Sequence, residues 1–501
     1  MSDLTDFVAR TELRRIEALR TLDATEQAKL GQFFTPRAAS ELIASIPSLP
    51  SSGSIKILDP GAGAGSLVAA LVARILAEKP GLSIDVVAQE LDSGVAHHLE
   101  ATLTDMEQTA KALGVTINTT LVGGDYIADA ELLGNGFDIV VMNPPYAKVA
   151  AASKHRELMA ARGVLTPNLY AAFMALGIRN LKHGGQLVAI TPRSFTNGTY
   201  FSQFRSDLLD RVSLDRIHIF ASRSTVFSDT GVLQENIILS ATLGGDSREV
   251  IISTSTGHND EVVERTVPSA EIVQPDDKNR YIRIPSGEGD KEVVDLMAML
   301  PATLADLGVK VSTGRVVDFR SRENLMAEPT GEVYPIAYPS NFKQGIVVHP
   351  LVGGKPQWFR TLEAKEEKML VPAGTYVLVK RFSAKEERRR LVAGIWSDEL
   401  HGDVKVAFDN KTNFLHIDGS GMDRDLAIGL SLWLNSTVVD NYFRTFSGHT
   451  QVNAGDLRSM RFPGLDSLRG LGSGRSFTLP EQTEVDGLIT HMVSKQTAVA
   501  A

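Results

Sequence analysis

From residue 55 onward the chain alternates short runs of apolar and β-branched residues with longer stretches whose apolar positions recur every three to four residues. The runs at 55–58, 84–89, 116–122, 137–142 and 186–191 predict strands, and 66–78, 93–113 and 169–181 predict the helices between them. This β-α-β-α rhythm means a mainly parallel sheet with helices on both faces. Two further runs, 214–219 and 236–242, predict a hairpin-like pair that completes seven strands, so a first α/β domain is expected over 1–245. It is preceded by a helix in the first thirty residues, where Leu4, Phe7, Val8, Leu13, Ile16, Leu19 and Leu22 fall near helical spacing.

Residues 246–306 read as a polar linker with one connecting helix at 291–299. Beyond residue 307 the pattern changes to short strands at 346–349, 376–380, 391–395, 404–407 and 412–416, then a helical period at 426–443. A second, α+β domain is expected over 307–501.

With 501 residues the chain is long enough for two or three domains with substantial cores. It has no cysteine, which removes disulfides and thiol nucleophiles and suits a reducing cytosol. The eleven histidines show no metal-ligand spacing, so no metal is expected. The start of the chain lacks signal-peptide architecture, and the longest apolar stretch, 67–77, is interrupted by Arg74 and too short to span a bilayer. The expectation is a bacterial cytoplasmic protein, associated with the nucleoid. Net charge is −9, yet it divides into −10 over 1–300 and +2 over 301–465, so a nucleic-acid groove fits the second half better than the first.

The most informative chemistry is Asn143-Pro144-Pro145-Tyr146, at the end of the fourth apolar run. The Asn side-chain carbonyl and the backbone carbonyl of the first proline can both accept from one planar NH2 group. Consecutive prolines fix φ and hold the loop, and Tyr146 offers a face on which a planar base can stack. Such a clamp suits methyl transfer to an exocyclic or amide nitrogen. Asp59-Pro60-Gly61-Ala62-Gly63-Ala64-Gly65 turns from the first strand into a helix. Its glycines allow close approach of a ligand, and the spacing departs from the dinucleotide fingerprint and fits S-adenosylmethionine (SAM), which has no pyrophosphate. Glu90 and Asp125 end the next two strands, where carboxylates can accept from ribose hydroxyls and an adenine amino group respectively. Thr35-Pro36 fits an N-cap and first position for a helix at 37–46.

Gly31-Gln32-Phe33-Phe34-Thr35-Pro36, the glycine motif and Asn-Pro-Pro-Tyr, in that order, resemble the γ-group N6-adenine DNA methyltransferases, the TaqI-like and Eco57I-like modification enzymes, over residues 25–245. That resemblance implies a SAM-dependent methyltransferase sheet of Rossmann-like type, a flipped adenine and a C-terminal target-recognition domain. It places Thr35 and Pro36 along the methionine part of SAM, with Asp59, Gly61, Gly63, Glu90 and Asp125 completing the cofactor site. Asn143 and Pro144 would hold the target N6, Tyr146 would stack on the base, and Phe227 would be a second aromatic behind it. Ser447 to Ala454 resembles a segment of Eco57I-like recognition domains, which makes His449, Thr450, Gln451 and Asn453 candidates for contacting DNA; the alternative is a structural turn feeding the next helix. Arg388-Arg389-Arg390 could meet phosphates or form a solvated face.

The resulting expectation is a site-specific DNA adenine-N6 methyltransferase acting on double-stranded DNA, the modification arm of a restriction–modification or related defence system, with any cognate endonuclease on a separate chain. A protein-glutamine methyltransferase and a DNA-binding subunit needing a separate specificity partner are the alternatives. The glycine motif together with Gly31–Pro36 resembles PstI- and BsuBI-type modification enzymes; a CTGCAG-like palindrome would follow only if that likeness extended to specificity.

Overall fold

The apolar runs become strands because both of their faces are covered. In this computed structural model, which describes residues 2–22, 33–220, 235–257, 260–275, 277–285, 289–383, 387–447 and 450–500, Ile139 and Val141 pack into one layer while Val140 and Met142 pack into the other. That two-sided burial is what a near-continuous Val/Ile run records.

The strands are β1 (Ser54–Pro60), β2 (Ser83–Glu90), β3 (Ile117–Gly123), β4 (Phe137–Met142), β5 (Leu181–Pro192), β6 (Val212–Phe220), β7 (Asn236–Leu243), β8 (Glu249–Ser255) and β9 (Val263–Pro268). They form one sheet in the order β3-β2-β1-β4-β5-β7-β6-β8-β9. β1 to β5 are mutually parallel, whereas β7 runs antiparallel between β5 and β6. Helices α1 (Ser2–Thr21), α2 (Arg37–Ser45), α3 (Ser66–Glu78) and α4 (Ser93–Ala112) contribute to the layer on one face. The short α5 (Tyr126–Asp129), α6 (Lys154–Ala161) and α7 (Leu169–Asn180) contribute to the other. Successive strands run outward from β1 through β2 to β3, and the chain then crosses back to place β4 on the opposite side of β1. The crevice at the carboxyl ends of β1 and β4 is therefore the topological switch point, where open α/β sheets bind ligands.

One expectation needs correcting. The part of the expected linker up to Ile284 belongs to the first unit: β8 pairs parallel with β6 from Arg216 to Phe220, and β9 forms the sheet edge, while the connecting helix expected at 291–299 is present at Asp290–Ala298. Buried Ser253 and Ser255 in β8 sit against the ring of His218, whose Nδ1 and Nε2 lie 3.0 and 3.1 Å from their hydroxyl oxygens. The first unit runs to Ile284 and the second begins at Pro285, beyond the expected boundary at 245.

The second unit is α+β, with a six-stranded and a five-stranded sheet. The helical period at 426–443 is split into Arg424–Leu434 and Thr437–Phe446 by Asn435-Ser436, where Ser436 accepts from the Val439 backbone N–H as an N-cap. Arg390 is buried and Arg389 is hydrogen-bonded to Gln482 and to the Ser436 carbonyl, so of the three arginines only Arg388 fits an exposed face.

Candidate active site

β4 ends at Met142, and Asn143 follows at the switch point with its amide held on one side. Nδ2 donates to the Phe33 carbonyl at 2.6 Å and to Thr35 Oγ1 at 3.0 Å. A backbone carbonyl can only accept, so the orientation of the amide is fixed. Its oxygen is then left buried with no hydrogen-bond partner. The Pro144 carbonyl also takes no hydrogen bond among the described residues. Two acceptors thus stand free where Asn-Pro-Pro predicts them. A buried acceptor without a donor is unfavourable by about 1–3 kcal/mol, which a ligand NH2 would relieve.

Thr35 does not cap α2 as expected. Pro36 occupies the N-cap position with no side-chain cap bond, and the buried Thr35 hydroxyl accepts from Asn143 instead. The clamp loop is stitched down by Val149 N–H to the Pro167 carbonyl at 2.7 Å and Leu169 N–H to the Ala147 carbonyl at 2.9 Å. Tyr146 donates its hydroxyl to the Ile190 carbonyl at 3.3 Å and its ring remains partly accessible, 5.9 Å from the Phe33 ring and 6.3 Å, edge-on, from that of Tyr170. Phe227 lies outside the described residues.

Beside the clamp opens a cleft lined among others by Gly61, Glu90, Asp125, Asn143 and Pro145. Gly61 and Gly63 both have positive φ, and a Cβ on Gly63 would come within 2.9 Å of the Phe34 ring. Glu90 is buried and secures this turn: Oε2 accepts from Gly63 N–H at 2.8 Å and Oε1 from Asp92 N–H at 2.9 Å. Burial pushes its carboxyl up, against those two backbone donors. Asp125 accepts from Ile127 N–H at 3.0 Å, and its second oxygen lies 2.7 Å from His155 Nε2.

Asp59 sits at the end of β1 and does not line the cleft. It is 1 % exposed, neither oxygen has a well-formed hydrogen bond, and burial pushes its carboxyl up to about 8, opposed by the Val68 backbone N–H and reinforced by Glu90. The unfolded chain releases this proton near the ordinary value of 3.8 while the folded chain keeps it, so Asp59 lowers stability as pH rises from about 4 towards 8. Asp59→Asn should therefore gain thermal stability relative to the parent at pH 8 but not at pH 4. An offset between the two melting curves that stays constant with pH would contradict this.

The Eco57I restriction-modification methylase family matches residues 96–227. Over 485 residues the chain is 40% identical to the type II methyltransferase M.PstI of Providencia stuartii, covering 95% of each protein. The chain belongs to the type II methyltransferases of restriction–modification systems. The type II methyltransferase M.BsuBI of Bacillus subtilis is likewise 40% identical, over 89% of this chain and 90% of its own. In fold, the chain resembles the type IIL restriction-modification enzyme MmeI, solved in complex with DNA, over 97% of this chain and 75% of that one, at a TM-score of 0.57 and 13% identity.

In this type II methyltransferase the cleft also draws on residues to which the sequence motifs give no individual role. Phe33, Phe34, Leu91, Ile127 and Phe173 give it apolar walls, and Leu91 is 59% exposed there. Gln89 is buried; its Nε2 donates to Asp129 at 3.3 Å, leaving Oε1 without a partner. Gln89 and Phe173 read as ordinary strand and helix core positions, whereas His155 carries no local signal at all. Among the described residues no cluster of three or more His, Asp or Glu side chains is placed to hold a metal ion, and no helix is long and apolar enough to cross a membrane.

The recognition candidates fall in the second unit. His449 lies outside the described residues. Thr450 is exposed, and Gln451 Oε1 accepts from Arg381 Nη2 at 3.3 Å. Asn453 forms a capping box with Asp456 at the start of Ala454–Ser459, so its side chain is engaged as the structural-turn alternative anticipates.

Proposed function

We propose that this type II methyltransferase methylates the exocyclic N6 of a specific adenine in duplex DNA, turned out of the helix into the clamp, and that its cognate endonuclease is a separate chain. The observation that carries this reading is the unpartnered Asn143 carbonyl beside the free Pro144 carbonyl at the switch point. The cleft residues fit S-adenosylmethionine: apolar walls suit its adenine ring, and the unpartnered Gln89 Oε1 offers an acceptor to a cofactor rich in donors. Glu90 would take the ribose hydroxyls on its remaining lone pairs, Asp125 the adenine amino group, and the Gly61–Gly63 turn would let the cofactor approach the backbone closely. Bound there, the cofactor supplies a methyl group made electrophilic by a positive sulfur.

The protein's contribution is to prepare the nitrogen. The adenine amino lone pair is delocalised into the ring and attacks poorly. Accepting one N–H at Asn143 Oδ1 and the other at the Pro144 carbonyl draws the nitrogen towards a tetrahedral shape and frees its lone pair. No side chain need remove a proton before attack, and alignment supplies much of the help. Turning the base out of the stack costs a few kcal/mol, which stacking on Tyr146 offsets.

Substitutions at Tyr146 separate its ring from its hydroxyl. Tyr146→Phe should keep most activity and change stability by no more than about 1 kcal/mol, because the hydrogen bond from the hydroxyl to the Ile190 carbonyl is long. Tyr146→Ala should raise the DNA concentration needed for half-maximal transfer while leaving SAM affinity unchanged. Equal losses in the two variants would show that the hydroxyl, not the ring, is what matters.

A further inference from the structure

One end of the six-stranded sheet in the second unit gathers turns from distant parts of the chain. The pairings Thr313–Asn413, Lys380–Thr412 and Val379–Ala393 bring four strand ends together there. The turns leaving them are tied by Gly314 N–H to the Thr412 carbonyl at 2.9 Å, Asn410 N–H to the Val316 carbonyl at 2.8 Å and Arg381 N–H to the Lys411 carbonyl at 2.9 Å. The segment after residue 449 joins them, with Ser383 N–H on the Thr450 carbonyl at 3.0 Å and Val452 N–H on the Arg381 carbonyl at 2.7 Å.

The chemistry of this end is distinctive. Asp318 pairs with both Lys355 and Lys411, and hydrogen bonding from Lys355, with help from Lys411, holds its carboxyl down to about 2. The Arg320 guanidinium lies 5.5 Å from the Phe319 ring and that of Arg381 lies 6.0 Å from the Phe382 ring. Phe319 is 62% exposed and Phe382 42%. Two phenyl rings are thus exposed at this end, each beside a guanidinium, and the Asp318 carboxylate with its two lysines lies at the same end. A duplex matches both features, since cations meet its phosphates while apolar side chains wedge against bases and sugars.

We infer that this end of the sheet is the duplex-DNA surface of the second unit, with Arg320, Lys355, Arg381 and Lys411 on phosphates and Phe319 and Phe382 packed into a groove. The inference rests on the reading of the chain as a DNA methyltransferase and names the residues that reading leaves open. It also gives Gln451 a positioning role, because its amide oxygen holds the Arg381 guanidinium rather than being free for a base edge.

The test measures binding of the full-length chain to a short random-sequence duplex across a salt series. Arg320→Gln combined with Lys411→Gln should lower the slope of log affinity against log salt by about 1.8, which is about 0.9 for each phosphate no longer neutralised. Phe319→Ala and Phe382→Ala should each weaken binding by about tenfold, with thermal stability unchanged because both rings are exposed. Lys310→Gln serves as the control, since Lys310 pairs with Asp418 at the opposite end of the same sheet; it should change neither slope nor affinity. Parent-like slope and affinity in the loop-end variants, while the parent binds DNA, would overturn the surface assignment alone. A parent chain that ignores DNA would overturn the DNA reading with it.

Discussion

Asn143→Ala should lower methyl transfer by about 10²–10³-fold or more, the scale seen when one preorganised hydrogen-bonding group is removed from a transition state. The substitution deletes the free acceptor, and with it the two bonds that Asn143 Nδ2 gives to Phe33 and Thr35. Thr35→Val separates these effects: it removes one strap at 3.0 Å while leaving the acceptor in place. If the acceptor is what matters, Thr35→Val should keep most of the rate while Asn143→Ala loses nearly all of it. Asn143→Ala should bind SAM and DNA close to normally, as expected for an interaction made mainly in the transition state. Single-turnover transfer of a labelled methyl group, with SAM binding followed by calorimetry, distinguishes the outcomes. A collapse of SAM affinity in Asn143→Ala would instead make the residue part of the cofactor site.

Removing the second unit should have the next largest effect, and where the cut falls matters. A fragment of residues 1–284 contains the whole nine-stranded sheet and should bind SAM, while losing the roughly 10³-fold or greater preference that separates specific from non-specific DNA binding. A cut at 245 should fail to give a folded protein. It strips the parallel partner of β6 and takes Val250, Ile252, Ile272, Ile282 and Ile284 out of the core. Circular dichroism and SAM calorimetry on the two fragments, with competition between methylatable and unrelated duplexes for the longer one, test both points. Site preference retained by 1–284 would place the readout in the first unit.

The alternation of apolar runs was enough to place the first seven strands, because burial on both faces leaves a strong and local pattern. It failed at β8, where Ser253 and Ser255 look like loop residues until His218, thirty-five positions earlier in the chain, is seen to engage Ser253. The clamp was legible because its chemistry is contained in four adjacent residues. The helix start at 37 was placed correctly, but its cap was misjudged for the opposite reason: Thr35 has an ideal local role as a cap, yet Asn143, 108 residues away, takes its hydroxyl. Of the strand-end carboxylates Glu90 and Asp125 line the cleft and Asp59 does not, and the present partners of the first two are set by the fold. Gly63 and Asp92 occupy Glu90, and His155 faces Asp125. Asn453 illustrates a rule that was available and underweighted, since Asp456 three residues on marks a capping box.

The central claim is that this methyltransferase modifies adenine N6 in DNA. The most direct measurement incubates the full-length chain with labelled SAM and duplex DNA, then digests the DNA to nucleosides and separates them. The account predicts label on N6-methyladenine, lost in Asn143→Ala. Label on cytosine, or on protein glutamine and not on DNA, would contradict it.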